Sequence, residues 1–211
     1  MLFTREKSRM VSPQEALPGR QQPLLVDEQH AVNGRRIVPP FPAGLEQIVF
    51  GMGCFWGAER LFWQTPGVWV TAAGYAGGYT QNPNYDEVCC GLTGHAEVVR
   101  VVFDPKKVPL SQLLKRFWES HDPTQGLRQG NDVGSQYRSL IGLVQAQMRE
   151  PVERSRAAYQ AALRQAGGAA ITTEIVDLEH FYLAETEHQQ YLAKVPHGYC
   201  GLKGTGVECP G

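Results

Sequence analysis

The sequence predicts an α+β domain in which helices pack against a β-sheet. Short apolar runs rich in β-branched residues are interleaved with amphipathic segments, and some of these runs follow one another without a helix between them. The 211 residues are 42% hydrophobic and 19% charged, which is typical of a globular chain long enough to bury a core. We therefore expect one body at residues 46–195, an extended arm at 1–45 and a tail at 196–211.

The expected elements follow in chain order from residue 46. Strands are expected at 47–50, 68–75, 97–103, 137–144 and 171–176. Helices are expected at 58–63, 111–120, about 150–165 and about 184–194. Ser111 is the predicted N-cap of the second helix. The stretches 77–85 and 124–135 are rich in glycine and polar residues, which indicates loops.

The two ends of the chain lack a sustained hydrophobic period. The arm holds many of the prolines and is expected to be either draped over the body or partly disordered. Its apolar stretches at 24–26 and 37–38 favour draping, because they can bury against the body. The tail is rich in glycine, and we expect it to be flexible.

Charge and hydropathy argue against several classes of protein. The net charge is −1 and no basic run is longer than a pair, which argues against a nucleic-acid-binding surface. No apolar stretch approaches the roughly 20 residues that a membrane helix needs. The first residues lack the apolar core of a signal peptide, so the expected location is the cytoplasm.

Five cysteines point to thiol chemistry rather than to a structural disulfide framework. Their number is odd and their spacing irregular, in a chain without an export signal. Cys89 and Cys90 are adjacent, which disfavours zinc and suggests structural or bystander thiols. Cys200 and Cys209 lie in the tail, where a mobile thiol can reach an oxidised one and pass the disulfide on. The alternative is that these two are incidental.

Cys54 stands at a predicted switch from strand to helix, between Gly53 and Phe55-Trp56-Gly57. Unpaired N–H groups and the positive end of the helix dipole are expected to lower the pKa of a thiol in that place. The flanking glycines allow another molecule to approach closely. The alternative is a buried cysteine in a glycine-rich turn.

A carboxylate and several tyrosines are the candidate proton donors. Glu97 opens a strand, where an apolar pocket would raise its pKa and make it a general acid. The alternative is a solvated glutamate at the strand end. Four tyrosines in or beside loops either donate to a polar substrate atom or cap the core, and they are Tyr75, Tyr79, Tyr85 and Tyr137. Asp132 either orients another group or forms a turn.

The ordered set of motifs resembles the A-type peptide methionine sulfoxide reductases in their longer bacterial form. The motifs are LPGR at 17–20, GCFWG at 53–57, GYAGGY at 74–79, NPNY at 82–85, TGHAE at 93–97, HDP at 121–123, QGND at 129–132, QYRS at 136–139 and GYCG at 198–201. The resemblance implies a single α/β domain in two layers, a ferredoxin-like plait with a mixed sheet, packed helices and long coil segments. It implies no metal or organic cofactor.

The resemblance also implies a role for each matched residue. Cys54 would attack the sulfoxide sulfur, and Glu97 would protonate the sulfoxide oxygen. Tyr85 and Tyr137 would donate hydrogen bonds to that oxygen, with Asp132 supporting the polar network. Attack would leave a sulfenic acid on Cys54.

The same resemblance implies the substrate and the recycling route. Phe55 and Trp56 would form the pocket for the S-methyl group of the S epimer of methionine sulfoxide, free or in proteins. Cys200 would form a disulfide with Cys54, Cys209 would exchange with it, and thioredoxin would reduce the last disulfide. Cys200 and Cys209 are one residue further apart than in the best-known bacterial form, which a glycine-rich segment absorbs easily. A monomer that repairs oxidatively damaged proteins is implied.

Two other functions stay open on the residues alone. One is a cysteine hydrolase, which needs a histidine within hydrogen-bond reach of Cys54. The other is a zinc- or redox-sensing module that uses the thiols of Cys89, Cys90, Cys200 and Cys209.

Overall fold

The computed structural model describes residues 9–210, and these contain eight strands and five α-helices. The strands are β1 (Glu46–Met52), β2 (Val68–Ala76), β3 (Ala96–Phe103), β4 (Arg128–Gln129), β5 (Asp132–Val133), β6 (Ser139–Leu143), β7 (Glu174–Asp177) and β8 (Phe181–Leu183). The helices are α1 (Phe55–Trp63), α2 (Tyr85–Cys89), α3 (Leu110–Ser120), α4 (Arg149–Gln165) and α5 (Tyr191–Lys194).

Six strands form one mixed sheet in the order β7-β6-β1-β3-β2-β8. Neighbours are antiparallel except for β6 and β7, which are parallel. Because the central strands β1 and β3 are antiparallel, the end of β1 lies beside the start of β3. Residues that follow β1 therefore meet residues that open β3, which sets the position of the site.

Helices α1, α3 and α4 cover one face of the sheet and form the main core with it. Phe50 of β1 stacks on Phe62 of α1 at a ring-centroid distance of 4.9 Å and on Phe117 of α3 at 5.1 Å. The side chains of β3 alternate, so that Val99 and Val101 face this core while Val98 faces the other side. The expected mixed sheet with packed helices is confirmed.

The described part of the arm is draped over the other face of the sheet. Ile37 is fully buried there with Val70, Ala72 and Val102. In the other apolar stretch Leu25 is 100% exposed, while its neighbours Leu24 and Val26 are half-buried. The stretch at 24–26 is thus only partly buried, whereas the stretch at 37–38 contains a fully buried residue.

Several element boundaries differ from the sequence prediction. Helix α2 begins at the end of the loop expected at 77–85 and continues through residues for which no element was predicted, because Asn84 and Glu87 make a capping box in which each side chain accepts the other's backbone N–H at 2.9 Å. Ser111 lies inside α3, whose N-cap is Pro109 and has no side-chain hydrogen bond. The expected helix at 184–194 is reduced to α5, because Gln190 has a φ of +48° and interrupts it.

Two expected strands are shorter than predicted. A 3-10 turn occupies Ser135–Tyr137, so β6 begins only at Ser139. Strand β7 begins at Glu174 rather than near residue 171. The first residues of the segment at 137–144 are taken up by that 3-10 turn. Residues 171 and 172 instead donate their backbone N–H groups to the Gln160 side chain and the Pro123 carbonyl, outside the sheet.

The tail is docked on α3 and α4, in contrast to the flexible segment expected from its glycines. The Cys209 backbone N–H donates to a Glu119 carboxylate oxygen at 2.8 Å, and Lys115 Nζ donates to the Cys209 carbonyl at 3.0 Å. The hydroxyls of Tyr159 and Thr205 lie 2.8 Å apart. As a result Cys209 is only 3% exposed.

Candidate active site

Cys54 is the N-cap residue of α1, immediately after the turn that ends β1. Gly53 makes this turn with a φ of +88°, a conformation that glycine adopts without a steric cost. The thiol is free and only partly exposed. The switch from strand to helix thus lies where the sequence places it.

The expected lowering of the Cys54 pKa is wrong for this site. Burial raises the pKa of the thiol far above its ordinary value, and the nearby Glu97 carboxylate raises it further. The Trp56 backbone N–H opposes this shift, as the helix argument predicts, but is outweighed. The resting thiol is therefore protonated, because burial destabilises the thiolate more than the N–H group at the start of the helix stabilises it.

Glu97 lies on β3 in a buried position directly beside the start of α1. It is 1% exposed, and its carboxylate accepts a hydrogen bond from the Phe55 N–H at 3.1 Å. Burial raises the pKa of Glu97 to about 8, with a further contribution from Asp132. The structure favours the buried acid over the solvated strand-end glutamate.

The predicted tyrosines separate into those at the site and one outside it. Burial raises the pKa of Tyr85 and of Tyr137, and Glu97 and Cys54 add to both shifts, which places these hydroxyls near the thiol and the acid. Tyr75 faces Glu97 across β2 and β3 and donates to a carboxylate of Glu185 at 2.8 Å. Tyr79 is 51% exposed and packs instead against Gly94.

An aromatic wall surrounds the first turn of α1. Trp56 stacks on Tyr191 with ring centroids 4.0 Å apart, and its indole N–H donates to His188 Nδ1 at 3.2 Å. The His188 ring centroid also lies 4.5 Å from that of Tyr85 and 5.3 Å from that of Phe55. The sequence reasoning missed His188 and Tyr191, because they fall in a segment expected to be an ordinary helix. Their only sequence signal is an aromatic and a histidine close together beside the tail.

The tail brings a second thiol to this wall. Cys200 is exposed, and its sulfur lies directly beside Gly57 of α1. A Cβ atom added to Gly57 would be only 2.8 Å from the Cys200 sulfur. The hydroxyl of the preceding residue, Tyr199, donates to a carboxylate oxygen of Asp132 at 3.0 Å. Cys54, Asp132 and Cys200 are thus gathered at one end of α1, whereas Cys209 is docked elsewhere.

The remaining cysteines lie on or beside α2. Cys89 is partly exposed, and it contributes to the raised pKa of Tyr85 through a hydrogen bond. Cys90 donates its S–H to the Glu87 carbonyl at 2.9 Å. Within residues 9–210, no group of three or more His, Cys, Asp or Glu side chains could hold a metal ion.

The hydrolase alternative needs an imidazole on the Cys54 sulfur. In the described part of the chain no hydrogen bond joins Cys54 to a histidine. His188 Nδ1 accepts from Trp56, and His95 contacts the Gly78 N–H at 3.0 Å and the Thr80 carbonyl at 2.7 Å.

None of the helices within residues 9–210 has the length and apolar character needed to cross a membrane.

A buried acid beside a thiol, with a second thiol delivered by the tail, is the site of a thiol-dependent oxidoreductase. The family model described as "Peptide methionine sulfoxide reductase" matches residues 46–207. The chain belongs to the peptide methionine sulfoxide reductase family.

Individual relatives cover almost the whole chain. Peptide methionine sulfoxide reductase MsrA of Pseudomonas aeruginosa strain PAO1 is 62% identical over 205 residues, which is 97% of this chain and 95% of that protein. The protein of the same name from Brucella anthropi is 62% identical over 206 residues, 98% of this chain and 94% of the other. The structure of methionine sulfoxide reductase A of Corynebacterium diphtheriae is similar with a TM-score of 0.82 and 48% identity, and covers 95% of this chain and 98% of that one.

Proposed function

We propose that this chain reduces the S epimer of methionine sulfoxide, free or in proteins, and so repairs oxidised proteins under oxidative stress. The observation that carries the proposal is the pairing of Cys54 with Glu97 at the start of α1, where the Phe55 N–H holds the carboxylate at 3.1 Å. A sulfoxide sulfur is a poor electrophile until its oxygen is protonated. A nucleophile beside a buried acid meets that requirement.

In the first step Cys54 attacks the sulfoxide sulfur while Glu97 protonates the sulfoxide oxygen. Tyr85 and Tyr137 stabilise the developing charge on that oxygen through their hydroxyls. The attack forms an S–S bond between Cys54 and the substrate sulfur. The protonated oxygen then moves as a hydroxyl to the Cys54 sulfur, so the S–S bond and the substrate S–O bond break, a new S–O bond forms on Cys54, and methionine leaves. The substrate sulfur gains two electrons and the Cys54 sulfur loses two. The proton lost by the thiol ends on the oxygen of the sulfenic acid, so Glu97 acts as a carrier and is regenerated.

Methionine is recognised by the aromatic wall. Trp56 presents apolar ring surface to the S-methyl group, and His188 and Tyr191 hold its ring in place. Phe55 is only 1% exposed and supports the wall from behind, against His188. Asp132 maintains the polar side of the site through Tyr199. This division gives one apolar and one polar side, which suits a sulfoxide whose methyl and oxygen point in different directions.

Recycling proceeds through the tail. The Cys200 thiolate attacks the Cys54 sulfenic acid, a disulfide forms and water leaves. Cys209 then attacks the Cys200 sulfur, which frees Cys54, and a dithiol of thioredoxin reduces the Cys200–Cys209 disulfide. Support for this partner comes from Mxr1 of Saccharomyces cerevisiae: its reduced form is 32% identical to this chain, and it has also been solved in complex with Trx2.

We also propose that the protein is a cytoplasmic monomer, as the family resemblance implies. Sedimentation of the purified protein and fractionation of the source cells test these two points. A sedimentation coefficient that corresponds to twice the mass of 23.4 kDa would remove the monomer.

The test of the function is a thiol count before and after addition of methionine sulfoxide without reductant. With no more than one methionine sulfoxide added per protein molecule, two thiols are expected to disappear for each methionine formed. Cys54→Ser is expected to form no methionine, while Cys90→Ser, which changes a thiol bonded to a backbone carbonyl, serves as the matched control. Repeated turnover by Cys54→Ser would disprove the mechanism.

A further inference from the structure

Gln190 has a backbone conformation that is unusual for its residue type. Its φ is +48° and its ψ +41°, the left-handed region that non-glycine residues rarely adopt. Such a residue persists only where its surroundings hold it. Gln190 lies between His188 and Tyr191, so its backbone sets how these two side chains reach the Trp56 ring.

The group that holds Gln190 is the buried carboxylate of Glu59, on α1. Glu59 accepts the backbone N–H of Gln190 at 2.7 Å on one oxygen and the side-chain N–H at 2.7 Å on the other. The Thr71 hydroxyl donates to the same carboxylate at 3.0 Å. Glu59 is 0% exposed, and burial raises its pKa to about 7, while the hydrogen bonds from Gln190 and Thr71 and the charge of Lys194 oppose this shift. All its partners are neutral donors, and two of the three come from one residue.

The arm reaches the same group of residues. The Ala31 backbone N–H donates to the Gln190 side-chain oxygen at 2.8 Å. His30 Nε2 lies 3.1 Å from the Thr71 hydroxyl oxygen, and Nδ1 accepts the Val32 N–H at 3.2 Å. Since the Thr71 hydroxyl donates to Glu59, the His30 Nε2–H donates to Thr71. The arm thus continues the hydrogen-bond chain that ends on Glu59.

We propose that Glu59 is a positioning residue for substrate binding. It holds Gln190 in the left-handed conformation and thereby keeps His188 and Tyr191 against Trp56. The arm adds further support through the hydrogen bonds of His30 and Ala31. The inference rests on the proposed function, because the Trp56 wall is the methionine pocket there. It also gives the arm a role in substrate affinity.

The first test is Glu59→Gln. The backbone and side-chain N–H groups of Gln190 reach different oxygens of Glu59, and an amide replaces one of these oxygens with an NH2 group, so one of the two hydrogen bonds is lost. Loss of one such hydrogen bond is expected to raise KM for a methionine sulfoxide peptide roughly tenfold. The rate of methionine formation in a single turnover at saturating substrate is expected to change by less than about threefold, because Cys54 and Glu97 are untouched.

A spectroscopic readout separates positioning from a purely structural role. The Trp56 indole N–H donates to His188, so its 1H–15N resonance reports that contact. Glu59→Gln is expected to shift this resonance, which is assigned by its loss in Trp56→Phe. The other three indole signals are expected to shift less.

Thr71→Val and Thr65→Val form a matched pair. Thr71→Val removes the hydroxyl that links His30 to Glu59, and is expected to raise KM in the same direction but less. Thr65 is equally buried, but its hydroxyl donates to the Leu61 carbonyl at 2.9 Å within α1. Thr65→Val is expected to leave KM and the indole resonance unchanged. If Glu59→Gln does not fold, Thr71→Val decides the question.

Unchanged KM and an unchanged Trp56 resonance in folded Glu59→Gln, or in Thr71→Val where only that variant folds, overturn the inference. A lower melting temperature alone would then show that the buried carboxylate only stabilises the core. Failure of the wild-type protein to reduce methionine sulfoxide would instead contradict the proposed function, so the two failures are distinguishable.

Discussion

Cys54 and Glu97 both hold their protons in the resting site, since burial raises the pKa of each. This state suits the acid role proposed for Glu97, because a general acid must be protonated before it acts. It is unfavourable for the nucleophile role proposed for Cys54, because the thiolate is the reactive form. The pair resolves the conflict if Cys54 loses its proton only as Glu97 delivers one to the bound substrate.

This pairing predicts how the first chemical step depends on pH. The pKa of Glu97 is raised to about 8, so the acid is present below pH 8 and is lost as the pH rises through that value. The single-turnover rate of methionine formation is therefore expected to fall above about pH 8. A stopped-flow pH profile measures it. A rate that instead rises steadily from pH 7 to 9, as thiolate formation alone would give, contradicts the acid role.

Glu97→Gln is expected to slow the same step roughly 10²–10⁴-fold, the usual range for a lost general acid.

The same substitution is expected to make the protein more stable at neutral pH. The folded-state pKa of Glu97 lies above the unfolded value, so the wild-type protein loses stability as the pH rises from about 4.5 to 8. The variant should thus melt at a higher temperature than the wild type at pH 7, with a smaller difference at pH 4. Calorimetry at the two values checks this.

At the scale of elements, the docked tail divides the two recycling cysteines between two places. Cys200 lies over Gly57 at the site, whereas Cys209 is held on α3 by Glu119 and Lys115. Burial and the Glu119 carboxylate both raise the pKa of the Cys209 thiol. In the proposed relay the buried Cys209 therefore has to be released from α3 before it attacks a disulfide at Cys200.

Glu119→Ala is therefore expected to expose Cys209. Removal of the acceptor for its backbone N–H weakens the docking, so alkylation of Cys209 by iodoacetamide should become several times faster. Peptide mapping by mass spectrometry measures the rate at each cysteine. Glu150→Ala is the matched control, since that exposed carboxylate pairs with Arg154 of the same helix, α4, and lies away from the tail contact of Glu119. Equal alkylation rates in both variants would show that Glu119 does not hold the tail.

At the scale of the whole molecule, the arm completes the core on the face of the sheet opposite α1. Ile37→Ala is expected to destabilise the protein by about 2–5 kcal/mol, because a fully buried side chain leaves a cavity between arm and sheet. Urea unfolding measures the change. Leu25→Ala, in the same arm but fully exposed, is expected to stay within about 0.5 kcal/mol of the wild type. A similar small effect for Ile37→Ala would mean that the arm contributes little to stability.

The sequence predicts what depends on neighbouring residues and misses what depends on distant ones. The position of Cys54 follows from a β-branched run before it and helix formers after it, all within the same short stretch. The wall formed by His188 and Tyr191 depends on Gln190, whose conformation is imposed by Glu59 from another element. The docking of Cys209 depends on Glu119, 90 residues away. Spacing alone cannot reveal contacts of this kind, since they exist only after the sheet has formed.

The protonated resting state of Cys54 has a consequence for self-protection. Hydrogen peroxide and similar oxidants react with thiolates far faster than with thiols, so damage to a cysteine follows its thiolate character and exposure. A site that keeps its sulfur neutral and half-covered until a sulfoxide arrives is a poor target for the oxidants that create its substrate. The same burial that slows a bare nucleophile would thus let the protein work in the conditions in which other cysteines are lost.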